Sequence, residues 1–145
     1  MTSVRVINRS TNDLPAYETS GSAGMDIRAN LIDPLPILPG ARSIIPTGIY
    51  LEIPPGFECQ VRPRSGLAIK NGVTVLNAPG TIDSDYRGEV KVILINHSNL
   101  EYTVTDGQRI AQLVFAKYER VVPILVSELS ATERGEGGFG STGTS

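Results

Sequence analysis

The chain has 145 residues, 40% hydrophobic and 19% charged, with a formal net charge of −2, which predicts one soluble domain burying about 70% of its unfolded surface. That balance excludes a global positive field for a nucleic-acid duplex, and the sequence has neither an apolar run of bilayer length nor a secretory leader in MTSVRVINRSTNDLP. The expectation is a cytoplasmic protein with no direct nucleic-acid partner and no membrane partner.

In chain order, VRVIN (4–8) reads as a first strand. In SAGMDIRA (22–29), Gly24 and Asp26 read as a bulge and a surface carboxylate. SIIPTGIYLEI (43–53) and ECQVR (58–62) follow as β-branched strands, with Cys59 expected as a half-buried strand residue. As the only cysteine, it excludes an intrachain disulfide and a cysteine-based zinc site. The sequons Asn8-Arg9-Ser10 and Asn96-His97-Ser98 carry no weight in a chain expected to stay in the cytoplasm.

VRPRSGLA (61–68) breaks a strand at Pro63 and presents Arg64, Ser65 and the Gly66 amide at the start of a short helical turn, SGLAIKNG (65–72), ended by Asn71-Gly72. An arginine, a hydroxyl and free amides together suit phosphate oxygens. A serine that merely caps the turn fits the same residues.

VTVLNAPGTIDSDYRGEVKV (73–92) reads as two β-rich flanks around a constrained loop. Ile82 and Asp83 point to opposite sides of an extended pair. Asn77 and the backbone would serve a planar base, Tyr86 a sugar, and Asp83 would accept a proton from water. An Asp bonded to its own turn is the alternative.

EVKVILINH (89–97) and RIAQLVFAKY (109–118) look like strands covered on both faces. His97, the only histidine, excludes a histidine-rich metal site and argues against a Ser-His-Asp mechanism. Gln112 interrupts apolar residues, so it is either satisfied internally or aimed at a ligand. VVPILV (121–126) is taken as a last strand, closing a domain over 1–126. A Gly-rich arm follows over 127–145. Its Gly135-x-Gly137-x-x-Gly140 matches the dinucleotide fingerprint, but no helix follows, so that reading fails. Many short strands with frequent turns predict an all-β sandwich, jelly roll or small barrel.

Five stretches, AGMDIRA (23–29), RPRSGLA (62–68), NAPGTIDSDYRGEV (77–90), GQRIAQL (107–113) and RGEGGFGSTG (134–143), together resemble the five ordered motifs of the trimeric dUTPases. The resemblance implies an all-β jelly-roll, or distorted barrel, subunit in a homotrimer with active sites at its interfaces. The implied reaction is dUTP plus water giving dUMP and pyrophosphate, with Mg²⁺ on the triphosphate, limiting uracil in DNA and supplying dUMP for thymidylate synthesis. On that resemblance Asp83 is the base that activates water. Asn77, Gly80, Thr81, Ile82 and Lys91 read uracil, and Tyr86 packs on the deoxyribose. Arg64, Ser65, Gly66 and Gln112 hold phosphates. Asp26 bonds water in the Mg²⁺ shell. Phe139 covers the base while Arg134, Gly140, Ser141 and Thr142 close the arm on the nucleotide. A dCTP deaminase and a binding module without chemistry are the competing readings, and neither is suggested by a damaged motif.

Overall fold

The structure is a computed structural model that describes residues 2–142. Two four-stranded antiparallel sheets face each other. One runs β1 (Arg5–Asn8), β4 (Arg42–Glu52), β8 (Glu89–Asn96), β6 (Val73–Val75); the other runs β2 (Met25–Arg28), β10 (Arg109–Lys117), β5 (Phe57–Arg62), β7 (Gly80–Ile82). A small pair, β3 (Leu35–Ile37) with β9 (Tyr102–Val104), closes one side. This is a jelly-roll subunit. Its core is the meeting of inward positions, with Ile45, Val92 and Leu94 from the first sheet against Ile27, Cys59 and Leu113 from the second, all wholly or almost wholly buried.

The β-branched runs form the expected strands because alternate residues reach this core. In β8, Val90, Val92, Leu94 and Asn96 are buried while Lys91 is exposed and Ile93 and Ile95 are half-buried. Within one chain β8 is therefore covered on one face, not both. Asn96 stays buried because its amide donates to the carbonyls of Ile37 and Leu100 (2.9 and 2.7 Å) and its oxygen accepts from the amide and hydroxyl of Ser98.

Helix α1 (Ser65–Asn71) is the expected short turn, ended where Gly72 takes a left-handed φ of 64° and returns its amide to Ala68 and Leu67. Arg64, not Ser65, occupies the N-cap position, and no side chain caps the helix. The capped-turn reading of Ser65 is therefore corrected, and its hydroxyl is exposed. Cys59 is wholly buried rather than half-buried, and burial pushes its thiol up from 9.0 to about 12.

VVPILV forms no strand. After Lys117 the chain has no regular structure up to 126, and among the described residues its last hydrogen bond to the sheets is from the Tyr118 amide to Gly56. High β propensity cannot make a strand without an edge to pair with.

Candidate functional site

Pairing of β2, β10 and β5 joins three distant stretches of sequence. Gln112 stands opposite Asp26 on one side and Arg62 on the other. Asp26 is no free surface carboxylate: Arg64 Nε donates to its Oδ1 (2.9 Å) and an Arg109 NH group meets its Oδ2 (3.3 Å), with a fifth of the side chain exposed. Arg109 also reaches Glu18 (3.1 Å). Arg64 is thus held over β10, beside Ser65 and Gly66 in the first turn of α1.

The Gln112 Nε2 donates to the Pro63 carbonyl (3.0 Å), which leaves its Oε1 toward Gly24. A Cβ on Gly24 would lie 2.3 Å from that oxygen. Gly24 therefore provides space and is not a bulge; the register slip between β2 and β10 falls between Arg109 and Ala111.

The second cluster surrounds a cleft of about 480 Å³ lined by Thr81, Ile82, Asp83, Tyr86, Lys91 and hydrophobic Ile44 and Ile93, among others. Ile82 is buried and Asp83 exposed, as alternation requires. The Tyr86 amide closes a turn onto the Asp83 carbonyl (3.2 Å), and its hydroxyl donates to the Glu89 carbonyl (3.1 Å). Gly88 permits this fold-back, because a Cβ there would sit 2.3 Å from the Tyr86 hydroxyl oxygen. Asn77 is exposed at the hairpin entrance, its Nδ2 beside Gly80, where β7 begins.

The two clusters lie apart in one chain. β7 runs antiparallel to β5 with Gly80 opposite Val61 and Ile82 opposite Cys59. Asp83 thus follows toward the Glu58 end, while Arg64 and Ser65 leave the Arg62 end. Four strand steps between those ends span about 13 Å.

In the arm, Arg134 Nε donates to the Gly137 carbonyl (2.8 Å) and the Ser141 amide to Gly138 (3.0 Å). Phe139 is wholly exposed at a φ of 50°, and Gly140 and Thr142 are exposed. Among the described residues no hydrogen bond joins 119–142 to the barrel. Gly143, the last residue of the fifth motif, lies outside the described residues. Glu18 and the space-making role of Gly88 carried no signal in the sequence, since each acts through a contact made in space.

The chain is thus an antiparallel jelly roll with an arginine–carboxylate–amide cluster at one end of β5 and a hairpin cleft toward the other. The dUTPase family model matches residues 10–143, and the chain belongs to the dUTPase family. It is 62% identical over 133 residues to a deoxyuridine 5'-triphosphate nucleotidohydrolase of Mesorhizobium japonicum, covering 90% of this chain and 83% of that one. A protein of the same name from Finegoldia magna is 53% identical over 140 residues, covering 97% and 98%. Among solved structures, the dUTPase of Staphylococcus bacteriophage 80alpha (G164S mutant with dUpNHpp) superposes with a TM-score of 0.89 at 25% identity, over 99% of this chain and 100% of that one.

Proposed function

We propose that this protein hydrolyses dUTP to dUMP and pyrophosphate at sites shared between copies of the chain. The observation that carries this reading is the gathering of Asp26, Arg64, Ser65 and Gln112 at one end of the β2–β10–β5 sheet in a member of the dUTPase family.

In this reading the Arg64 guanidinium, the Ser65 hydroxyl, the Gly66 amide and the Gln112 side chain hold the phosphate chain and stabilise charge that develops on it. Asp83 takes a proton from the water that attacks the α-phosphorus, and the bond to the pyrophosphate oxygen breaks in line with the new one. Asn77, Gly80, Thr81, Ile82 and Lys91 receive the uracil edge in a hairpin too tight for a 5-methyl group. Tyr86, held over Gly88, fills the space that a 2′-hydroxyl needs. Arg134, Phe139, Gly140, Ser141 and Thr142 close over the nucleotide. Closure removes bulk water at an ordering cost of about 1–2 kcal/mol per residue.

Among the described residues no three acidic, histidine or cysteine side chains gather as a metal cage. Asp26 retains acceptor capacity beyond its two guanidinium contacts. Its donor chemistry fits Mg²⁺ that is held by substrate phosphates and keeps its waters, with Asp26 bonding that water shell. When bound, the metal would neutralise charge on the triphosphate.

A water activated by Asp83 must stand within about 3 Å of it and beside the α-phosphorus. The separation of Asp83 from Ser65 therefore favours a hairpin from one copy facing the phosphate cluster of another. Val121, Val122, Ile124 and Leu125, each 80% or more exposed, and the outward pair Ile44 and Ile93 supply apolar surface for such an assembly. A closed homotrimer repeats the composite site three times. No helix among the described residues is long and apolar enough to cross a membrane.

Pyrophosphate release with Mg²⁺ from dUTP, dTTP, dCTP and UTP, beside light scattering for the oligomer, tests the reading. Release from dUTP alone by a trimer is expected. Ammonia from dCTP would instead identify a deaminase, and inertness toward all four a binding module.

A further inference from the structure

We propose that Glu89 is a positioning residue that sets the choice of sugar by holding Tyr86, an inference that rests on the dUTP-hydrolysing reading. Four contacts converge on it. The β4–β8 register passes from Pro46 opposite Lys91 to Ile49 opposite Val90, leaving Thr47 and Gly48 as a buried bulge without ladder partners. Glu89 Oε1 accepts from both orphaned amides, Thr47 at 3.2 Å and Gly48 at 2.9 Å. Its Oε2 faces the Lys91 ammonium at 3.7 Å. Its backbone carbonyl accepts the Tyr86 hydroxyl.

The carboxylate therefore anchors the first residue of β8 to the bulge, and that anchoring fixes the carbonyl that Tyr86 grips. Tyr86 in turn shares a tight turn with Asp83. Removing the carboxylate frees two buried donors, which the bulge must reorganise to satisfy. The start of β8 moves with it, and the Tyr86 ring loses its fixed height above Gly88. Space then opens for a 2′-hydroxyl. Sugar choice is thus set by a carboxylate at the margin of the cleft, whose polar atoms are turned to the β4 bulge and to Lys91 and act on the nucleotide through Tyr86.

The test compares the wild-type protein with Glu89→Ala, Glu89→Gln and Gly88→Ala. kcat/KM is measured for dUTP and UTP, dUMP and UMP affinities by calorimetry, and Tm alongside. Preference for dUTP over UTP should fall about ten-fold in Glu89→Ala, with the dUMP-to-UMP affinity ratio falling in parallel. Glu89→Gln, which keeps one acceptor oxygen, should lie between. Gly88→Ala, which displaces Tyr86 directly, should lose the preference independently of the bulge. Unchanged ratios beside a lowered Tm would overturn the proposal, leaving Glu89 a bulge support alone. If Glu89→Ala does not fold, Glu89→Asp takes its place, since its shorter side chain cannot reach both bulge amides, and unchanged ratios there would overturn the proposal equally. A wild-type protein inert toward dUTP defeats the hydrolase reading by itself, whereas the monophosphate affinities still decide the role of Glu89.

Discussion

Gly24→Ala separates the cost of folding from the cost of function at the proposed phosphate cluster. The new Cβ would lie 2.3 Å from Gln112 Oε1 and 3.2 Å from its Cδ, against about 3.5 Å for an unstrained contact between heavy atoms. The amide must retreat by about 1 Å. Because the obstructed atoms are the end of a flexible side chain, the backbone of β10 has no need to move. Stability then falls by about the worth of the bond from Gln112 Nε2 to the Pro63 carbonyl, roughly 1 kcal/mol. For a chain of this size that lowers Tm by about 2–4 °C. Turnover should suffer more, since a displacement of about 1 Å in a group that orients substrate can cost about 100-fold. Thermal denaturation and pyrophosphate release on the same preparations give both quantities. Full activity beside the small Tm loss would remove Gln112 from the phosphate site. A stability loss of several kcal/mol would mean that the β2–β10 backbone yields, refuting the steric argument.

Truncation after Glu133 should leave melting and oligomeric state unchanged, because 134–142 bonds only to itself and to Thr132; pyrophosphate release should nearly vanish, and retained turnover would remove the arm from the site. Asp83→Asn should bind dUTP with near-normal affinity by calorimetry while hydrolysing it at least about 100-fold more slowly; a near-normal rate would remove Asp83 as base. Gly48→Ala should destabilise more than Gly24→Ala, since its φ is +70° and its Cβ would meet the backbone nitrogen of Ser10 at 2.8 Å; equal melting points would contradict this. The Cys59 thiol, raised from 9.0 to about 12 by burial, stays protonated where the unfolded thiol ionises. Its contribution to stability is therefore whole below pH 9 and declines as pH rises from 9 toward 12. Replacing it with alanine should flatten that decline in denaturant titrations, and the native thiol should resist disulfide reagents at pH 8 until unfolded.

The longest elements of the chain were written locally. β4, β5, β8 and β10 follow from β-branched runs whose alternation reaches one core. The turn over 65–71 follows from Gly72, which alone tolerates the left-handed exit. The candidacy of Arg64, Ser65, Asp83, Tyr86 and the arm residues rests on motif order alone. Among strands of three or four residues, β1 was legible in VRVIN and β6 and β7 in the β-rich flank and extended pair of 73–83, whereas β2, β3 and β9 had no such signal, because so short a segment becomes a strand only through the neighbour it pairs with. VVPILV shows the converse: propensity without a partner yields an exposed chain with no regular structure. Tertiary structure alone decided that Asp26 bridges two arginines, that Gly24 and Gly88 make room for Gln112 and Tyr86, and that Asp83 stands at the opposite end of β5 from Ser65. These are distances between residues remote in sequence. They are set by sheet register, and register is decided by which faces the whole core can bury together.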